Sequence, residues 1–161
     1  MRVWNIGHSL HGYLPEGDIY LTTSIDDAIE TLRSDIDALV DFHYEGATIA
    51  LDHKQYALDG ETLARVREAI DIGDTTTLRE VIADPGPGRD DVLEYADAVD
   101  ALNVLDAMRA DGDARYALES GRGLSFDIGP VRYYAVELDA SDLHDDAREA
   151  LEDEGRYVSP I

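Results

Sequence analysis

Asp142, Asp145, Asp146, Glu149, Glu152 and Asp153 recur at steps of three and four residues near the end of the chain. On a helix such steps set neighbouring carboxylates about 5–6 Å apart at Cβ, along one ridge. An ordered row of fixed negative charge attracts a matching row of positive charge. Duplex DNA carries one negative charge per about 1.7 Å of axis, so acidic ridges on adjacent helices imitate the array that a DNA-binding protein expects. The competing reading is a hydrated helix face that keeps the protein soluble in a salt-adapted or GC-rich organism. Salt separates the two, because the Debye length falls from about 10 Å at 0.1 M to about 3 Å at 1 M.

The histidines suggest a different chemistry. His8 and His11 form an H-x-x-H pair, while His43 and His53 flank a candidate strand over 47–51. Joined by Asp or Glu, they would make the ligand set of a small metal-dependent hydrolase. The H-E-x-x-H arrangement of metalloproteases is missing, however, and Gly7 and Gly12 argue against one helix presenting both imidazoles. Histidines bonded to backbone groups in a turn fit better, so no catalytic residue, metal ligand or cofactor is assigned. Gly86, Gly88, Gly121 and Gly123 precede no Lys-Ser or Lys-Thr and build no phosphate loop. Asp111-Gly112-Asp113 does not fit a calcium loop. With no cysteine, thiol chemistry, disulfides and Cys-based zinc sites are all excluded.

Asp and Glu number 36 against 13 Lys and Arg, a formal net charge of −23. The excess runs through the whole chain, with 24 Asp to 12 Glu and a single lysine, Lys54, beside twelve arginines. A polyanion of this kind repels nucleic acid and anionic membranes, so a basic protein surface is the expected partner. Since 44% of the residues are hydrophobic, the charge does not place the chain among disordered ones. No apolar run approaches the roughly 18 residues that span a bilayer. The start, Met1-Arg2-Val3-Trp4-Asn5, lacks a signal peptide's apolar stretch, so a cytoplasmic protein is expected.

The elements that position these residues follow from periodicity and punctuation. Arg2–Ile6 reads as a strand, Gly12–Asp18 as a turn, and Ile19–Thr22 as a second strand. Ser24 is placed to cap a long helix with Asp26 and Asp27 in its first turn. Its buried stripe would be Ile25, Ile29, Leu32, Ile36, Leu39 and Val40. Ala47–Leu51 is expected to be a strand, Gly60–Ile70 a helix and Thr75–Ala83 a short helix that stops before Asp84-Pro85-Gly86-Pro87-Gly88. Asp90 and Asp91 open a second long helix that ends near Asp111-Gly112-Asp113. Gly123–Leu138 reads as a β-hairpin turning at Gly129-Pro130, and Ser141 as the cap of a last helix over Asp142–Glu154, ended by Gly155. Leu143, Ala147, Ala150 and Leu151 form the apolar stripe of that helix. Tyr13, Tyr20, Tyr133 and Tyr134 suit either an interface or the edge of a core, with Tyr133 and Tyr134 on opposite faces of their strand.

At Gly12-Tyr13-Leu14-Pro15-Glu16, followed by Asp18 and the capped helix with Asp26, Asp27 and Ala28, the chain resembles small acidic proteins of bacteriophages of GC-rich actinobacteria. Gly129-Pro130-Val131-Arg132-Tyr133-Tyr134 is similar to theirs as well. The resemblance implies a phage or mobile-element setting, in which small acidic proteins inhibit host factors, and it transfers no activity residue by residue. Antirestriction DNA-mimic proteins are comparable in size and charge, without a shared motif.

Taken together, these features describe a single α+β domain over residues 1–161. It has a small antiparallel sheet, three to five amphipathic acidic helices and a candidate hinge at 84–89. The expected function is that of a non-enzymatic interaction protein, a phage-type DNA mimic that inhibits a host nucleic-acid-binding or defence protein by engaging its basic surface in the host cytoplasm. Asp142, Asp145, Asp146, Glu149, Glu152 and Asp153 are the first contacts, followed by Asp26, Glu30, Asp37, Asp41, Asp90, Glu94 and Asp97. Nucleic acid and membrane are not expected as partners, and a homodimer is the other association considered. The alternatives are a salt-adapted protein of unrelated role and a metal-dependent hydrolase using His8 or His11.

Overall fold

The alternating apolar residues at the start of the chain build the middle strand of a sheet. In the computed structural model, which describes residues 1–10, 15–53, 58–83 and 91–159, β1 (Val3–Leu10) lies between β2 (Pro15–Thr22) and β4 (Val131–Leu138). β3 (Leu124–Ile128) and β5 (Arg156–Ser159) form the edges, and every pairing is antiparallel. The helices are α1 (Ile25–Asp52), α2 (Gly60–Ile72), α3 (Thr75–Val81), α4 (Asp91–Asp111), α5 (Asp113–Glu119) and α6 (Asp145–Glu154). The fold is therefore α+β, as expected. None of these helices is long and apolar enough to cross a membrane.

The chain divides into two compact units, with boundaries inside α1 between Asp35 and Ile36 and inside α4 between Val104 and Leu105. The first unit, Met1–Asp35 with Leu105–Ile161, holds the whole sheet. Directly opposed residues of antiparallel strands point to the same side, and the pairs Val3 with Leu138 and Leu21 with Tyr157 put these four side chains on one face. Ala147 and Leu151 of α6 bury against Val3 and Leu21 there, with Leu138, Leu143 and Tyr157 around them. Trp4 points to the other face, where its indole N–H donates to the Leu118 carbonyl of α5 at 3.4 Å. In the second unit, Ile36–Val104, the regular elements among the described residues are helices. Ala47 and Leu51 of α1 share a core there with Val66, Ile70, Leu78, Val92 and Ala96. The Tyr95 hydroxyl donates to the Ile70 carbonyl at 2.8 Å inside this core.

Several boundaries differ from those read in the sequence. Ala47–Leu51 is not a strand: α1 continues through Asp52, because Ala47, Ala50 and Leu51 extend the buried side of the helix. Ser141 does not cap the last helix. Asp139 instead accepts from the Ser141 N–H at 2.9 Å and closes a 3₁₀ turn over Ala140–Asp142, so that α6 starts at Asp145, three residues later than expected. The long helix ends at Asp111 as expected, but Asp113–Glu119, for which no element was read, forms α5 directly after Gly112 at φ 86°. β5 is four residues long, and its pairing with the distant β2 leaves no local signature. The turn read over Gly12–Asp18 is shorter than expected, because β2 already starts at Pro15, where Pro15 and Glu16 pair with Ser9 and His8 of β1. Other expectations hold in outline. The Ser24 Oγ accepts from the Asp27 N–H at 3.1 Å, and β3 and β4 form the hairpin. Asp59 and Asp74, not read as caps in the sequence, accept from the Thr62 and Thr77 N–H groups and cap α2 and α3. The candidate hinge at 84–89 lies outside the described residues, as do His11, Tyr13 and Asp90.

Candidate functional site

α6 is the element that lays out the acidic row. Ten residues contain only Ala147, Ala150 and Leu151 as apolar positions, and burial of Ala147 and Leu151 against the sheet fixes which way the helix faces. At 100° per residue, Asp145, Asp146, Glu149, Glu152 and Asp153 then fall within an arc of about 120° on the outward side. All five are exposed, and none has a side-chain hydrogen bond or ion pair among the described residues. Arg148, the one cation of the helix, is turned away from the row, since its guanidinium donates to the Ala140 carbonyl at 3.0 Å. Gly155 ends the helix at φ 77°, where its N–H reaches the Leu151 carbonyl at 3.0 Å.

Asp142 stands on the 3₁₀ turn ahead of α6, exposed but off its ridge. Reading the sequence missed Asp139 in the same stretch, whose carboxyl the Ser141 N–H and hydroxyl hold below the usual carboxylate range. Glu154, also missed, borders an open cleft with Thr22, Thr23, Ser24, Asp27, Gly155 and Arg156.

The second group of predicted contacts divides. Asp26 is bound by Arg115 at 2.6 Å and Glu30 by Arg109 at 2.8 Å, both within the first unit. Asp97 is held by Arg79 at 2.8 Å, and Glu94 faces the His43 imidazole at 3.7 Å, both within the second. Asp37 and Asp41 are exposed on α1 with no side-chain partner among the described residues. An arginine already facing a carboxylate removes it from the charge that a partner can use, so sequence spacing overcounted the available row. Asp106, which was not predicted, shows the same effect: the Arg33 guanidinium, 2.7 Å away, holds its carboxyl below the ordinary range.

Among the described residues the histidines do not converge. His8 lies on β1 and stacks on Tyr133, with ring centroids 5.2 Å apart. The His43 ring meets Phe42 edge-on. Burial pushes the His43 imidazole below its ordinary value against the pull of Asp91 and Asp97, so its approach to Glu94 is a contact of a neutral ring at neutral pH. Among the described residues no three His, Asp or Glu side chains come together as a metal site. The tyrosines serve the fold: Tyr20 donates to Asp27 at 2.7 Å, and both Tyr133 and Tyr134 are half-buried. No family model, curated protein or solved structure matches this chain.

Proposed function

We propose that this protein is a non-enzymatic acidic inhibitor or interaction protein whose α6 ridge engages the basic surface of a nucleic-acid-binding or defence protein. One observation carries this reading: five carboxylates share an arc of α6 and have no internal partner among the described residues. They span about 12 Å of helix axis, or one charge per about 2.5 Å, between the spacing of duplex DNA, about 1.7 Å, and that of one strand, about 3.4 Å. A helix seated on a sheet presents the row already ordered, so little entropy opposes binding. The phage-like segments supply a setting in which the target is a host factor.

The test is capture of host proteins on the immobilised full chain at about 0.1 M and about 1 M salt. The comparison chain carries Glu149→Lys, Glu152→Lys and Asp153→Lys. A DNA mimic retains a basic protein at low salt, releases it at high salt and to competing duplex DNA, and loses it on charge reversal. If the reversed chain retains the same proteins as the wild type, the reading fails and hydration is left to explain the charge.

A further inference from the structure

The outward side of α1 in the second unit carries side chains that hydration does not explain. Phe42 is 68% exposed and Ile49 47%. With the exposed Ala38 they fall within about 40° of one another around the helix. The opposite side of the same segment already supplies the core through Ala47 and Leu51, so this second apolar strip is surplus to folding. Asp41, Glu45 and Asp52 run beside it along an adjoining strip about 40° wide, all exposed. Arg67 holds Asp52 at 2.8 Å, whereas Asp41 and Glu45 have no side-chain partner among the described residues. Single exposed apolar residues need no explanation, whereas here two large ones share a face two turns apart beside carboxylates unpaired among the described residues.

We infer that this strip docks a basic amphipathic helix of a partner protein. The helix lays apolar residues spaced by one and two turns on Ala38, Phe42 and Ile49, and its Lys or Arg side chains on Asp41 and Glu45. Charge selects the occupant. A second copy would bring like-charged carboxylates together on chains of net charge −23, and an anionic lipid or nucleic acid is repelled in the same way. The strip is independent of α6 and adds what a purely acidic row lacks, an apolar anchor whose contribution survives high salt.

The experiment titrates the full-length protein with two fluorescent probes: a helical amphipathic Leu/Lys peptide, and an oligolysine of the same charge without apolar residues. The Leu/Lys peptide binds about tenfold or more tighter than oligolysine and keeps measurable affinity at about 1 M salt. Phe42→Ser with Ile49→Ser weakens the peptide about tenfold or more at both salt concentrations and leaves oligolysine unchanged. Asp41→Lys with Glu45→Lys weakens it at low salt, while the three α6 reversals leave it within about twofold. Amide shifts in the wild-type chain mark residues 38–52 on peptide binding, a readout that does not rely on any variant folding. Unchanged peptide affinity in the Phe42/Ile49 variant, or shifts concentrated on 145–154, would overturn the inference. So would a concentration-dependent dimer that the Phe42/Ile49 variant abolishes, because the strip would then be a self-interface. None of these results bears on whether the α6 row captures a host protein, so the two proposals fail separately.

Discussion

Replacing Leu151 by alanine tests whether the acidic row owes its order to the sheet beneath it. Leu151 is 2% exposed, packed with Val3, Leu21 and Ala147. The substitution removes three buried carbons, worth about 2.4 kcal/mol at roughly 0.8 kcal/mol per methylene. The cavity left behind raises the total to about 3 kcal/mol. α6 has little else to hold it. Like charges three and four residues apart oppose the helix by a few tenths of a kcal/mol per pair, about 0.2–0.5. Glu152, Asp153 and Glu154 also crowd the end where the helix dipole disfavours anions. Urea unfolding followed by the emission of Trp4, the single tryptophan and a buried residue of the first unit, reads the loss. With a slope of about 2 kcal/mol per molar urea, the midpoint falls by about 1.5 M. Hydrogen exchange adds a local reading, since the amides of Arg148 and Gly155, bonded to His144 and Leu151, lose protection before the rest of the unit. A loss below about 1 kcal/mol with unchanged protection at these amides would refute the reasoning, because α6 would then be held by something other than Leu151.

Other substitutions probe single contacts. Gly155→Ala forces a side chain into a left-handed conformation at φ 77° and brings its Cβ to 3.2 Å from the Thr23 hydroxyl. Thermal unfolding should show a loss of about 1–2 kcal/mol. Tyr95→Phe removes one of the two donors to the buried Ile70 carbonyl, leaving the Gly73 N–H at 3.3 Å, and denaturant unfolding should show a loss of about 0.5–1.5 kcal/mol with the helical signal otherwise retained. His43 is held below its ordinary value by burial, so the unfolded chain takes up this proton first on acidification. Its contribution to stability is full above the unfolded value and declines as the pH falls through that value toward the lower folded one. The difference in stability between wild type and His43→Gln should therefore change between about pH 7 and pH 5 and stay flat above that range.

Composition and local pattern determined much of this protein. The lack of cysteine, the net charge, the Ser24 cap, the Gly129-Pro130 hairpin turn, the apolar stripe of α6 and the stop at Gly155 are all properties of one residue or a few consecutive ones, so they are legible in the residues themselves. Tertiary structure decided the features that depend on distant partners. Ala47–Leu51 is helix instead of strand because its small and branched residues meet α2 and α4, and β5 exists because β2 offers an edge. Likewise, nothing local distinguishes Asp26 and Glu30, which arginines on distant helices neutralise, from Asp145 and Glu149, which stay free. Nothing local marks Phe42 and Ile49 as exposed while Ala47 and Leu51 of the same helix fill the core. A sequence fixes how many charges and apolar groups there are and their spacing along the chain, whereas which of them stay unpaired at the surface depends on contacts between segments far apart in that chain.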